Sequence, residues 1–438
     1  MYFLYTQSTL TDAHGSTLDR IGDVMKITLR TAAFAASALM LGGLMAGCGP
    51  KEDPATTGST GTPDAPKTGS LKPGDQNPNA DMIKIGLVAS INGELKPWGE
   101  DSQAGALLAV DEINKAGGIG GKQVQLLIED SGSKPEQGKT AAERLIAKGA
   151  VALVGEVASG ITAQMANAAA EKMIPVVAVG ATKTDLPGIG HHVFRVCYTD
   201  DLQGPVMGTF AYEELGLRNV AIVTDNKQPY SQYLSKTFRA SFESQGGKIV
   251  DEQFYESGNT QFSGLLTNLK AKNPDGLFLS GYFTEVGPIV KQAAEAGIKA
   301  KYLGGDGWDS SEILTSGGDA ILGGFFCNHY NNKEDRPEVK TFLEKWAAAF
   351  GGTPGTTMGA LGYDAINLVA AAMKGAKDPN SSAEVLTAIS NTENFPGVSG
   401  VVTLKGKGGN PDKRALVVKL TKEGQEFEKA YEAADVKK

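Results

Sequence analysis

The sequence predicts an α/β protein made of two doubly wound parallel-sheet lobes, and three observations carry that prediction. From Met82 onward, short apolar runs alternate with amphipathic helical stretches, the spacing of parallel strands joined by crossover helices. About 350 residues take part, more than one hydrophobic core usually serves. The alternation breaks near Val193–Thr199 and then resumes, which divides the strand–helix units into two runs.

In the first run, Met82–Ala89 reads as a buried strand and Ser102–Ala116 as a helix with apolar residues at helical spacing. Gln123–Glu129 is the next strand and Glu136–Lys148 the next helix. The strand Val151–Val154, a helix reaching Lys172 and the strand Pro175–Val179 follow. The second run contains the strands Asn219–Thr224, Lys248–Phe254 and Asp275–Leu279, with helices over Ser231–Gln245, Phe262–Ala271 and Phe283–Ala296. Abundant glycine and alanine suit close packing of helix on sheet. The glycines at 117, 118, 120 and 121 follow a helix and precede a strand, the reverse of a phosphate-binding turn, so they read as a helix stop.

Upstream of Met82 the chain is of another kind. Met25 to Arg30 is basic, an uncharged apolar stretch follows from Thr31, and Leu44-Met-Ala-Gly precedes Cys48. This is the order of a secretory signal, and a cysteine just after the cut resembles a bacterial lipobox, whose thiol receives a lipid. The apolar run is short for a bilayer span. Residues 1–24 carry Asp12, Asp19 and Asp23 where a signal avoids acid, so 1–24 read as a mis-assigned start and 25–47 as the signal. Residues 48–81, rich in Pro, Gly, Thr and Asp, read as the acylated cysteine plus a disordered tether that spans about 30 Å. The expected location is extracytoplasmic and lipid-anchored to a bacterial membrane.

Charge and cysteine content exclude several functions. The chain has 42 basic and 50 acidic side chains, a net charge of −8. Residues 1–47 hold three of each, so the remainder keeps −8. An acidic surface argues against nucleic acid as a partner. No Cys/His spacing suggests zinc, and no GxxxxGK[ST], HExxH or GxSxG motif occurs. The sequence therefore predicts no catalytic residue, no metal site and no cofactor. His191 and His192 read as a solvated loop pair.

In open α/β sheets ligands bind beyond the carboxyl ends of the strands. After Val154 comes Gly155-Glu-Val-Ala-Ser159-Gly160, and after Val179 comes Gly180-Ala181-Thr182. Two such turns side by side make a compact site for a carboxylate or phosphate; alternatively Ser159 and Thr182 only cap helices. In the second run Gly304-Gly-Asp306-Gly307 ends a strand with an acid that can accept an ammonium or simply bond its own turn. Trp98, Tyr230 and Tyr282 occupy further strand-end loops. Anion donors on one lobe, a carboxylate on the other and aromatics between them are what a zwitterionic amino acid requires.

The order and spacing of Ile85-Gly-Leu, Ala104-Gly-Ala, Phe194-Arg195, Asp200 with Gln203-Gly204, Asp225 with Tyr230, Gly281-Tyr282, Gly304-Gly-Asp306-Gly307 and Gly362-Tyr363-Asp364 resemble the Leu/Ile/Val-binding proteins of branched-chain amino acid ABC transporters. The resemblance covers Met82 to Leu420. It implies the type I periplasmic binding fold, two lobes joined by three crossover segments. Lobe 1 would comprise 82–197 and 328–410, and lobe 2 would comprise 198–327 and 411–438. It further implies that Ser159 and Thr182, with backbone at Gly180 and Ala181, bind a ligand carboxylate, and that Asp306 takes the ammonium with help from Tyr230 or Tyr282. Trp98 would line the side-chain pocket. Asp306 stands where the best-known members have Glu, and Glu156 adds a charge beside the anion turn. The implied partners are a free neutral amino acid and an ABC permease, with the protein monomeric. A ligand-sensing module for a membrane receptor, or a binder of amide, urea-type or aromatic solutes, is the alternative. The resemblance also sets Cys197 and Cys327 on crossing segments that run side by side, which leaves open a disulfide or two separately buried thiols.

Overall fold

The computed structural model describes residues 81–437, so Cys48 and the segments read as start, signal and tether, up to residue 80, lie outside the described residues. The first sheet contains β1 (Ile83–Ala89), β2 (Val124–Asp130), β3 (Ala152–Val154), β4 (Val176–Ala178) and β5 (Val193–Arg195) in the order β2-β1-β3-β4-β5. All four pairings are parallel. Strands β1, β3 and β4 are covered on both faces, which is why they are continuous apolar runs rather than alternating ones. The crossover helices are α1 (Lys96–Lys115), α2 (Pro135–Ala147) and α3 (Ser159–Ala170). Helix α1 starts at Lys96, ahead of the Ser102 start that the sequence suggests. Pro97 lies in its first turn, where a missing N–H leaves no hydrogen bond unmade.

The chain then leaves this sheet through residues 196–199 and enters α4 (Asp200–Thr209), which continues as a π-helical turn over Phe210–Glu214. The second sheet has β6 (Asn219–Asp225), β7 (Lys248–Tyr255), β8 (Gly276–Leu279), β9 (Lys301–Gly304) and β10 (Phe325–Asn328), crossed by α5 (Pro229–Ser244), α6 (Ser263–Lys272), α7 (Phe283–Glu295) and α8 (Glu312–Gly317). After β10 the chain returns to the first lobe as α9 (Pro337–Phe350), α10 (Met358–Gly375), α11 (Ser382–Ser390) and the hairpin of β11 (Phe395–Gly397) and β12 (Gly400–Val402). It crosses once more to add β13 (Ala415–Thr421) and β14 (Gly424–Tyr431), giving the order β14-β13-β10-β9-β8-β6-β7. The last two strands are antiparallel additions to an otherwise parallel sheet. This is the mixed α/β class with parallel sheets.

Glycine does the close packing, though of helix on helix as much as of helix on sheet. A Cβ on Gly105 of α1 would lie 1.9 Å from the Gly359 carbonyl of α10, and one on Gly362 would lie 2.3 Å from the Ser102 carbonyl. The two helices touch along backbone, and any larger side chain there would force them apart.

The three crossing segments are tied by charge. Lys413, on the third, is 6% exposed and donates to the Val196 carbonyl on the first at 2.6 Å and to Ser399 Oγ at 2.6 Å. Ser399 Oγ in turn donates to Asp364 Oδ2 at 2.7 Å, and Asp364 also accepts the N–H groups of Val398 and Ser399. Burial holds the Lys413 ammonium down at about 8, against the pull of Asp364. Glu334 on the second segment pairs with Arg336 at 2.9 Å and with Arg414 of the third.

The cysteines are not bridged. Cys197 and Cys327 are both buried and free. Cys197 Sγ donates to the Ala181 carbonyl at 3.3 Å, while Cys327 sits inside β10, before the crossing rather than on it. Each is packed as a small apolar residue, the usual state of a free thiol.

Lys413→Met should destabilise the protein by about 3–5 kcal/mol, because it leaves the buried Asp364 without its cation. Denaturant unfolding measures this, and the double variant with Asp364→Asn should recover part of the loss. A change below about 1 kcal/mol would mean that the lysine does not hold the hinge.

Candidate functional site

The carboxyl ends of the two sheets face each other across an interlobe cavity of about 10 Å³, room for roughly one water molecule. Trp98, Val157, Ser159, Gly180, Thr182, Tyr230, Tyr282, Asp306, Gly307 and Met358 line it. Seven of the eight sequence-predicted residues are therefore brought together. Ala181 is the exception. It lies in an apolar cluster with Ala178 and Leu186, and its carbonyl accepts from the Arg195 guanidinium at 2.6 Å. A wider groove of about 870 Å³ lies between α6 and α7, but Lys270, Lys291 and Glu295 on its walls are exposed and do not converge on a point.

On the first lobe the turns after β3 and β4 are neighbours because the strands pair. The expected capping roles do not hold. Ala158 precedes α3, Ser159 is its first helical residue, and the Ser159 hydroxyl accepts the Lys183 N–H at 3.2 Å. The opening N–H groups of α3 keep no carbonyl partner within the helix, which is what favours an anion there. Thr182 caps no helix either; its Oγ1 accepts from Gln203 Nε2 at 3.3 Å.

Glu156 lies beside this turn, as expected, and is bound into it. Its Oε1 accepts from Ser90 at 2.6 Å and Ser131 at 2.9 Å, and Oε2 accepts the N–H groups of Val157 and Ala158. Burial raises its pKa against those hydrogen bonds. The side chain is a buttress behind the turn. Opposite it, Met358 packs on Gly180, where a Cβ would lie 2.6 Å from the Met358 sulfur.

On the second lobe Asp306 follows β9 and is 4% exposed. Oδ1 accepts from the Tyr230 hydroxyl at 2.9 Å and from Gln203 Nε2 at 3.0 Å, and Oδ2 lies 3.0 Å from His329 Nε2. Its carboxyl bonds side chains, not its own turn. Tyr230 is thus committed: its hydroxyl donates to Asp306 and accepts the Gly307 N–H at 3.0 Å. Tyr282 stacks on Tyr230 with centroids 5.2 Å apart, and its buried hydroxyl has no protein partner. Gln203 also donates to Asp200 Oδ1 at 2.6 Å, so one amide bridges two carboxylates. Burial, then the nearby Asp306 charge, pushes Asp200 up to about 7. Asp200, Gln203 and His329 were not singled out as site residues from sequence, since they act behind the cavity wall. Val157, Gly307 and Met358 were missed for a plainer reason, lacking any polar signal.

The lobes are latched at the cavity's mouth. Trp98 Nε1 donates to the Asp309 carbonyl at 2.6 Å, and its ring meets Tyr282 edge-on at 5.2 Å. Asp309 Oδ2 accepts the N–H and hydroxyl of Thr357, both at 2.7 Å, at the start of α10. Alongside, Asp101 Oδ2 accepts the N–H and hydroxyl of Thr356 at 2.6 and 2.8 Å. Trp98 is therefore a wall of the pocket and half of a latch, not a loop residue; it stands in the first turn of α1. Among the described residues no cluster of His, Cys, Asp and Glu could hold a metal, and no helix is long and apolar enough to cross a membrane.

A family profile described as periplasmic binding protein matches residues 82–425. A Leu/Ile/Val-binding protein of Rhizobium johnstonii is 32% identical over 322 residues, 73% of this chain and 87% of its own length. The crystal structure of a leucine binding protein from Thermotoga maritima superposes with a TM-score of 0.77 at 30% identity, covering 81% of this chain and all of that one. A branched-chain amino acid transporter substrate binding protein from Streptococcus pneumoniae, solved with isoleucine, gives 0.74 at 31%, covering 80% of this chain and 99% of its own.

Asp101 makes the latch region sensitive to pH. Burial, opposed by the Thr356 hydrogen bonds, lifts its pKa from 3.8 to about 7. The folded protein thus binds this proton more tightly than the unfolded chain, and stability falls as pH rises from about 4 to about 7. Asp101→Asn keeps a carbonyl for both bonds and has no charge to bury. It should gain on the order of 2–4 kcal/mol over wild type at pH 8 and little at pH 4. Melting temperatures of the two proteins across this range would show it, and a gap independent of pH would refute it.

Proposed function

This chain belongs to the periplasmic binding protein family, and we propose that it captures a neutral, branched-chain-like amino acid between its lobes and passes it to an ABC permease. The single observation that carries the reading is the cavity's asymmetry. One end offers the hydroxyls of Ser159 and Thr182 and the opening N–H groups of α3, and the other offers a buried carboxylate that meets no lysine or arginine among the described residues. An α-carboxylate and an α-ammonium suit those ends, and Trp98, Val157, Met358 and Tyr282 supply mostly apolar walls for the side chain once the lobes part. The names of the relatives support the same choice, since those proteins bind leucine, isoleucine and valine. The present cavity is far smaller than an amino acid, so capture requires the lobes to part and then close.

The family places the protein outside the cytoplasm. Acylation at Cys48 and the tether after it would hold it at the membrane while leaving the lobes free to move. Loss of fatty-acid labelling in Cys48→Ser tests that anchor.

L-Leucine, L-isoleucine or L-valine should raise the melting temperature, because a ligand that binds only the folded state stabilises it by mass action. 4-Methylpentanoate, which is leucine without its amine, should do so far less. Asp306→Ala should weaken leucine binding by about 2–5 kcal/mol, the usual loss when a buried charge pair is broken. Equal binding of leucine and its amine-free analogue would overturn the assignment of Asp306.

A further inference from the structure

His329 follows β10 at the start of the second crossing segment and is 1% exposed. Its ring stacks on Tyr198 with centroids 4.0 Å apart. Nε2 lies 3.0 Å from Asp306 Oδ2, so this nitrogen carries a proton and donates it. Nδ1 is buried and has no hydrogen-bond partner. A neutral ring leaves there only an unpaired acceptor, whereas an imidazolium would bury an unpaired N–H together with a charge. The geometry favours the neutral ring. Asp306 is then an anion with Tyr230 and Gln203 on Oδ1 and His329 on Oδ2, and one acceptor direction of Oδ2 remains free.

We propose that His329 is a positioning residue that sets the charge of the ammonium subsite, so that the site selects a zwitterion while the ring is neutral and loses that preference when the ring is protonated. The inference rests on the amino acid reading above and adds to it the group that enforces the need for an amine. A ligand cation on Asp306 and a second proton on His329 repel each other, since one carboxylate cannot compensate both. Leucine affinity therefore rises with pH, and by linkage the binding of leucine at acid pH expels a proton.

The groups that face the ring are Asp306 from the loop after β9 and Tyr198 from the first crossing segment, and the Cys327 thiol of β10 bonds Tyr198. Behind Asp306 stand Asp200 and Gln203 of α4 and Tyr230 of α5. Burial raises the phenols of Tyr198 and Tyr230 and the thiol of Cys327, so none of them ionises near neutrality. Asp200 does titrate there, under burial and the Asp306 charge. It is the control.

Calorimetry of L-leucine binding at about pH 5.5 and about pH 8 with wild type, His329→Gln and Asp200→Asn tests the proposal. A glutamine amide reaches the position of Nε2 as a donor that never charges. Wild type should bind about tenfold or more tightly at the higher pH, because the ligand cation and a second proton on the ring repel each other across one carboxylate. Asp200→Asn should keep this slope and His329→Gln should lose it. The same slope in His329→Gln, or its loss in Asp200→Asn alone, overturns the proposal. If His329→Gln does not fold, Asp200→Asn measured in buffers of different ionisation enthalpy still decides, because position 200 then has no proton to release. Proton release at the lower pH and none at the higher supports the role, and no release at either pH overturns it. Wild-type leucine binding that ignores pH would sink this inference and leave the amino acid reading standing. No binding of any neutral amino acid at pH 8 would sink both.

Discussion

A carboxylate buried between two lobes, with no lysine or arginine among the described residues bonded to it, is the constraint on which the site depends. An ion taken out of water is costly unless hydrogen bonds and a countercharge replace what it lost. Asp306 has the hydrogen bonds, from Tyr230, Gln203 and His329. It lacks a permanent countercharge. Much of the surrounding architecture serves that state: Gln203 is pinned by Asp200 on its far side, Tyr230 is held by the Gly307 N–H, and His329 is clamped against Tyr198. Under the proposed function a ligand cation would complete what the protein leaves incomplete, and discrimination of this kind is strong because the alternative is an uncompensated buried charge.

Lobe closure rests on a second group of interactions of a different kind. The Trp98–Asp309 and Asp309–Thr357 bonds cross the cleft between rigid elements, the first turns of α1 and α10 on one side and the loop after β9 on the other. They form or break together when the lobes move as bodies. The three crossing segments are bound to one another by Lys413, Glu334, Arg336 and Arg414, and none of these bonds spans the cavity. Closure can thus be reversible while the hinge stays intact. Neither cysteine is needed to pin it.

The fold was legible where periodicity was strong. Ile85–Ala89 and Val220–Val223 are continuous apolar runs because parallel strands are covered on both faces, and that pattern survives without any knowledge of neighbours. Boundaries were less legible. The early start of α1 depends on Pro97 in its first turn. Most of the cavity wall could be found because strand ends on adjacent parallel strands must be neighbours, so Ser159 and Thr182 fell together on topology alone. What failed was the alternative that these hydroxyls only cap helices, since they bond Lys183 and Gln203. A hydroxyl's partner depends on distances that no local pattern encodes.

By itself the sequence determined the α/β class, the division into two runs of strand–helix units, the absence of the common catalytic and nucleotide-binding motifs and the location of candidate residues at strand ends. These follow from period, spacing and residue type, which are local properties of the chain. Tertiary structure decided the rest. It tied the Glu156 carboxyl to the turn's own N–H groups, left Cys197 and Cys327 unbridged, buried Ala181 behind the wall, and set His329 against Asp306 from a segment 23 residues further along. Each of these outcomes depends on which side chains two separately folded lobes bring to the same point, and burial fixes the charge and hydrogen bonding of a group only after that meeting has occurred.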